Sequence, residues 1–349
     1  MSLTNAQIAE LLAAAAEDQE GHRRRALERA SRAAGFYWSE EAASLREAGR
    51  PLTELSLVGP WLARLIDGWL DDPPDLLEPP PLRRGFLTLA EVRSTLDEHP
   101  DWRPALRADL QMHTTYSDGK APLSEMVDAA RTYGYEHVAI TDHSKGLAIA
   151  HGMDEARLAA EGYEIRQLNE DLEREGQNFQ VLRSIEMNLS PEGEGDMDED
   201  ALLSLDLVLG AFHSKLRLTE DQTDRYVAGL RNRTVNVLAH PRGRRFGVRL
   251  GLQADWRRVF EAARENNKAL EIDSFPDRQD LNVELLELAR DVGVRISIGT
   301  DAHSVAELRF IEFGLAAAIR ARIPRERILN YMPRDELLAW AAEVRGVSR

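Results

Sequence analysis

The 349-residue sequence contains no cysteine. That excludes a disulfide framework and any thiolate metal site, so a metal held by this chain must rest on nitrogen and oxygen ligands. Long apolar runs are also missing. None approaches the roughly 18–20 uncharged residues of a membrane span, so no membrane partner is expected. Met1-Ser-Leu-Thr-Asn lacks the basic start and apolar core of a secretory signal. Together these absences favour a cytoplasmic location. Positive charge is short as well. Lys and Arg number 44 against 60 Asp and Glu, a net of −16. This argues against broad electrostatic coating of nucleic acid, but it leaves room for a local basic cleft. The remainder, 30% charged and 43% hydrophobic, is ordinary for a soluble enzyme. The length suits one large domain plus a smaller one.

The first 70 residues read as helices. Thr4 and Gln7 form a capping box, and Ile8, Leu11, Leu12 and Ala15 share one face. Helices follow over about 21–34 and 39–47. Residues 52–66 read as two short helices around a tight turn, with Gly59 expected at positive φ and Pro60 opening the second. Pro73, Pro74, Pro79, Pro80 and Pro81 crowd the next segment. A stiff linker with a short helix is therefore expected over 71–105, between a helical domain (1–70) and a catalytic domain (106–345).

From residue 107 the pattern changes. Seven strand-like segments, 107–113, 137–142, 180–187, 206–212, 234–239, 269–273 and 294–299, are mostly separated by helical ones. Buried strands alternating with helices imply a parallel sheet. The expected fold is α/β, a distorted (β/α)7 TIM-like barrel behind a small all-α domain. A doubly wound open sheet is the runner-up, but Thr114-Thr-Tyr-Ser-Asp-Gly is not its phosphate-binding glycine loop.

Active sites of such barrels lie at the C-terminal ends of the strands. Those ends read His113, Asp142-His143, Glu186, His213, His240-Pro, Asp273 and Asp301-Ala-His303. The chain has nine histidines, and five of them fall in this series. With Asp118 the candidate ligands exceed what one ion needs. About two or three divalent transition-metal ions (Zn, Mn or Fe) are expected, polarising a phosphoryl group and activating water as hydroxide.

Asp109-x-Gln111-x-His113-Thr-x-x-Ser-Asp118-Gly, Ile-Thr-Asp-His143, Glu186, His213-Ser, His240-Pro and Thr-Asp301-Ala-His303 resemble the ordered motifs of the PHP (polymerase and histidinol phosphatase) superfamily. The likeness is strongest to the PHP domain that ends bacterial family X DNA polymerases. It includes Ser144-Lys145, Gly152-Met-Asp-Glu, Leu270-Glu-Ile-Asp and Asn330, over roughly 106–335. The resemblance implies a trinuclear centre. One ion would take His113, Glu186 and Asp301; a second Glu186, His213 and His240; a third Asp118, His143 and His303. Gln111 stands where the family usually has histidine. Its carbonyl is a weaker ligand, so the first position is the one expected to bind least tightly.

Four arginines and no acid occupy residues 242–249, directly after His240-Pro. Arg242, Arg244, Arg245 and Arg249 are expected to hold phosphate, Arg244 foremost, with Lys145 and Lys215 as further contacts. Glu186 as the bridging carboxylate and Arg244 as the clamp are the expected catalytic pair. The N-terminal region resembles the helix-hairpin-helix domain that opens family X polymerases, a motif of DNA repair. Leu57, however, replaces the first hairpin glycine, and residues 1–70 hold eight Arg, no Lys and ten acids. The 71–105 gap cannot hold a nucleotidyl-transfer domain, so no polymerase activity is expected. The leading expectation is a metal-dependent phosphoesterase of DNA 3′ ends, a 3′-phosphatase or 3′–5′ exonuclease. The alternatives are a small-molecule phosphatase of histidinol-phosphatase or nucleotide type, and a non-catalytic metal-binding scaffold. The sequence names no protein partner.

Overall fold

The computed structural model describes residues 2–76 and 78–347, and the chain divides into two compact units, residues 1–99 and 100–349. The Pro-rich stretch thus belongs to the first unit. That unit holds α1 (Asn5–Glu17), α2 (Gly21–Phe36), α3 (Ala42–Glu47), α4 (Pro60–Asp71) and α5 (Leu89–Glu98). The Thr4 capping box forms in both directions. Ile8 and Leu12 are fully buried with Leu27, Trp38, Leu45 and Ile66. Arg83 closes on Glu10 with two hydrogen bonds to its Oε2 and one to Oε1. Gly59 does not take the positive φ expected of it: it is extended at φ −87°, because a residue before proline is driven out of the helical region. The left-handed position is Leu57, φ 64°, with its side chain 46% exposed.

The second unit contains β1 (Ala108–Met112), β2 (His137–Ile140), β3 (Gln180–Arg183), β4 (Glu186–Asn188), β5 (Leu209–Ala211), β6 (Val237–Leu238), β7 (Ala269–Asp273) and β8 (Arg295–Gly299). The helices between and after them are α6 (Leu123–Arg131), α7 (Glu155–Arg174), α8 (Glu199–Leu203), α9 (Thr223–Arg231), α10 (Trp256–Glu265), α11 (Val283–Val292), α12 (Ile311–Arg320) and α13 (Arg334–Arg345). All strand pairings are parallel, in two sheets ordered β1-β2-β3 and β4-β5-β6-β7-β8. The expected strand 180–187 is two: β3 pairs with β2, then the chain passes Ser184-Ile185 and β4 pairs with β5. The segment reads Gln180-Val-Leu-Arg-Ser-Ile-Glu-Met187, with no glycine or proline to mark the change of partner.

Hydrogen bonds continue past the sheet edges. Glu186 N–H donates to the Asp142 carbonyl and Ser144 N–H to the Glu186 carbonyl, both at 3.1 Å. Asp301 N–H donates to the Gln111 carbonyl, also at 3.1 Å, and His113 N–H to the Ala302 carbonyl at 2.8 Å. Where the first residue of β1 lies beside Ile298 of β8, the buried Asn330 amide donates to the Ala108 carbonyl (2.9 Å) and the Ile298 carbonyl (2.8 Å). Its Oδ1 accepts from Ile298 N–H at 2.7 Å. Ala108, Ala139, Ala211, Ala239 and Ala269 form a core with Leu329, Leu337 and Trp340. Small strand residues leave room for the large ones of α13.

Candidate metal centre

The chemistry-bearing side chains gather where the strands end. Glu186, at the start of β4, is fully buried. Its Oε1 lies 2.7 Å from His240 Nε2 and 2.9 Å from His213 Nε2. Its Oε2 lies 3.4 Å from both His113 Nε2 and His143 Nδ1, and accepts from Gln111 Nε2 at 3.0 Å. His113 stacks between His143 and His303, with centroids 4.4 and 4.3 Å away. His113 Nε2 is 3.0 Å from Asp301 Oδ1. Asp118 Oδ1 stands 3.3 Å from His303 Nε2 and 3.6 Å from His143 Nε2.

Three groups therefore have the spacing of a metal site: His113, Asp118, His143 and His303; His143, Glu186 and His213; and His113, Glu186 and Asp301. The donor set is nitrogen and oxygen throughout, which suits divalent transition metals. Buried atoms without a hydrogen bond among the described residues include His113 Nδ1, His143 Nδ1 and Gln111 Oε1. Such polar atoms are costly to leave unsatisfied, at roughly 1–3 kcal/mol each, so the residues fit a bound cation.

The backbone here is strained in a directed way. His240 has φ 26° and Asp301 φ 49°; neither is glycine, and such positions cluster at functional sites. Glu271 helps hold His240, its Oε2 accepting the His240 N–H at 2.8 Å. Gly299 makes the packing possible, since a Cβ there would come within 2.7 Å of Gln111 Cβ and overlap Glu271 Oε1.

The electrostatics follow from burial opposed by pairing. Burial alone would raise the Glu186 carboxyl, but His143, His240 and the other histidines hold it well below its usual range. Burial would lower His240, yet the Glu186 carboxylate pushes it up to about 10. His143, more affected by burial than by its neighbours, is lowered to about 4. Asp301 also lies below its usual range, because Arg278 and then His113 outweigh its burial.

The remaining expected contacts are distributed differently. Gln111 turns its amide nitrogen, not its carbonyl, toward Glu186. Asp273 accepts the Phe275 N–H at 2.7 Å and faces Arg278, and so lies outside the three ligand groups. Arg244 is 3% exposed, and its backbone N–H donates to Asp280 Oδ2. Arg242 donates to the Leu250 carbonyl, Arg245 pairs with Asp277, and Arg249 donates to the Gly243 carbonyl. Lys145 pairs with Glu155 at 2.7 Å, and Lys215 is exposed at φ 54°. Arg278 is the residue that sequence reasoning missed. Its Nη1 is 2.5 Å from Asp301 Oδ2 and 3.5 Å from Asp273 Oδ2, with the side chain 36% exposed. Its only signal was one arginine inside the acid-rich Asp273-Ser-Phe-Pro-Asp-Arg-Gln-Asp280, which reads as a solvated turn.

Residues 109–275 match the family model of the PHP domain. The chain carries a PHP domain. A 226-residue stretch is 38% identical to the DNA polymerase/3'-5' exonuclease PolX of Bacillus subtilis (strain 168), covering 64% of this chain and 39% of that protein. The chain therefore spans well under half the length of that relative. The probable phosphatase YcdX of Escherichia coli (strain K12 / DH10B) is 28% identical over 237 residues, 65% of this chain and 90% of that one. Histidinol phosphate phosphatase from Lactococcus lactis subsp. lactis Il1403, solved with zinc, L-histidinol and phosphate, overlays with a TM-score of 0.49 at 17% identity. That overlay covers 62% of this chain and 94% of that one. Among the described residues no helix is long and apolar enough to cross a membrane.

Proposed function

We propose that this PHP domain is a metal-dependent phosphoesterase that acts on DNA 3′ ends, as a 3′-phosphatase or 3′–5′ exonuclease. The observation that carries the hydrolase reading is Glu186, a buried carboxylate with four histidines and Gln111 around its two oxygens. The 38% identity to a polymerase/exonuclease supports the DNA end as substrate. The likeness to a probable phosphatase over 90% of its length, with the net charge of −16, favours the second reading, a small-molecule phosphatase.

The domain reads best as a distorted seven-unit barrel, with β3 and β4 as one interrupted strand. The bridges Met112–Ala302 and His143–Glu186 support closure. The helical region 1–70 reads as helix-hairpin-helix-like and 71–105 as its linker to the catalytic region 106–345. The ion positions in this reading are the three that the resemblance implies: His113, Glu186 and Asp301; Glu186, His213 and His240; Asp118, His143 and His303. When bound, divalent ions supply Lewis acidity toward phosphoryl oxygens and lower the pKa of water.

The chain's own residues orient and neutralise. Glu186 turns one oxygen to His240 and His213 and the other to His113 and His143, which fixes the centre's geometry. Gln111 braces Glu186 through its amide. Arg278 is held by Asp301 and Asp273 through Nη1 and keeps its other N–H groups for a phosphoryl oxygen. It takes the clamp role expected of Arg244, which is buried beside Asp280. In hydrolysis a water oxygen bonds to phosphorus, the phosphorus–ester oxygen bond breaks, and the leaving oxygen takes a proton.

The test compares three reactions with Mn²⁺ and then with chelator: phosphate release from a 3′-phosphorylated oligonucleotide, digestion of single strands, and hydrolysis of histidinol phosphate. Chelator-sensitive turnover of either DNA substrate is expected. Turnover of histidinol phosphate alone refutes the DNA reading. No turnover of any substrate favours a metal-binding scaffold.

A further inference from the structure

Three arginines beside the metal centre are more cation than the local acids balance. Arg245-Phe-Gly-Val-Arg249 closes as a tight hairpin, with Arg245 N–H donating to the Arg249 carbonyl at 2.8 Å and Arg249 N–H to the Arg245 carbonyl at 2.9 Å. Gly247, φ 67°, makes its turn. The hairpin docks on the loop that carries Arg278: Phe246 N–H donates to the Asp277 carbonyl at 2.7 Å, and Arg245 Nε lies 3.3 Å from Asp277 Oδ2. The loop after His213 comes in from the other side. The Leu216 side chain would lie 3.1 Å from a Cβ on Gly243. That brings in Arg217, which is exposed and makes no hydrogen bond or ion pair among the described residues.

The charges are not neutralised pairwise. Arg245 has Asp277, and Arg278 has Asp301 and Asp273. Arg249 has the Gly243 carbonyl as its described side-chain partner. Its guanidinium is depressed from its ordinary value, first by burial and then by Arg278, Arg217 and Arg245, with Asp280 acting in the opposite direction. Like charges held together at the end of a fixed hairpin cost free energy unless an anion joins them. Val248 and Leu250, both exposed, give the same hairpin an apolar face.

We propose that Arg217, Arg245 and Arg249 form a second phosphate subsite, which takes the phosphate next along the substrate chain from the one hydrolysed near Arg278. The inference rests on the phosphoesterase reading and sharpens it. The preferred substrate carries at least two phosphates, and the second comes either from an internucleotide diester or from a terminal group on a small nucleotide.

The experiment measures kcat/KM with Mn²⁺ for thymidine 3′-phosphate, thymidine 3′,5′-bisphosphate and a short oligo-dT ending in a 3′-phosphate. A charge-assisted phosphate contact corresponds to roughly a 10- to 100-fold gain. The wild type should favour the bisphosphate, the oligonucleotide or both over the monophosphate by that factor, and which one gains identifies the source. In Arg217→Ala and Arg249→Ala the ratio should fall toward one. The salt dependence of oligonucleotide binding should weaken by about 0.7 in logarithmic slope per lost phosphate contact. Arg217 tethers nothing, so its variant keeps the test valid if Arg249→Ala fails to fold. Equal kcat/KM for all three substrates, or a ratio unmoved by Arg217→Ala, overturns the subsite and leaves the phosphoesterase reading intact. Hydrolysis of none of them overturns both.

Discussion

Replacing Asn330 with alanine tests the join between β1 and β8. This residue is far from the metal centre in sequence, yet it ties together the two strands that deliver His113 and Asp301. Its fully buried amide makes three hydrogen bonds to strand backbone, at 2.9, 2.8 and 2.7 Å. The alanine variant leaves two carbonyls and one N–H without those partners and opens a small cavity. Each unsatisfied buried group costs roughly 1–3 kcal/mol. Allowing for partial relaxation and entry of water, the expected loss is about 3–5 kcal/mol. Urea denaturation followed by tryptophan fluorescence measures it, as a lowered midpoint at unchanged slope. A loss below about 1 kcal/mol would refute the reasoning, because it would mean that the two strand ends hold their spacing without Asn330.

Other perturbations separate local roles. Arg278→Ala should reduce kcat/KM by roughly 10- to 100-fold with metal content unchanged; parallel loss of metal would show that Arg278 only supports Asp301. His137 is buried, and its burial, reinforced by Arg334 and Arg107, lowers it from 6.5 to about 4. The unfolded chain takes up this proton near 6.5 and the folded chain does not until about 4, so stability falls as pH drops through that window. Denaturation of the wild type and His137→Phe at pH 7 and pH 4.5 should show a smaller acid loss in the variant, by about 2–3 kcal/mol; equal losses would contradict this. Leu57→Gly should stabilise the N-terminal unit by about 0.5–1 kcal/mol, because glycine accepts φ 64° without strain and the exposed leucine buries little. A lower thermal midpoint would contradict it.

The parts of the site that were legible in the sequence are those tied to strand ends. His113, His143, His213, His240 and His303 each end or follow a buried run, so reading the strand ends alone gathered them at one end of the sheets. Features set by pairing across the chain were not legible. The change of partner at Ser184-Ile185 lies inside a mostly buried segment with no glycine or proline to mark it. The positive φ at Leu57 instead of Gly59 depends on Pro60 acting one residue back. Arg278 and Glu271 act through residues distant in sequence, Asp301 and His240, and their local surroundings resemble a charged turn and an ordinary strand. Helices α8 and α13 were missed for different reasons. The first is only five residues long. The second is recognisable by Leu337 and Trp340 filling the space left by strand alanines, which no local window contains.

The central claim is that Glu186 and its histidines hold a cluster of divalent ions. Elemental analysis of the protein after metal loading and desalting, for the wild type and Glu186→Gln, tests it most directly. The account predicts about two to three transition-metal ions per wild-type chain, in keeping with three ligand groups, and a loss of at least one ion in the variant. Less than one ion per wild-type chain, or equal content in the two proteins, would contradict it.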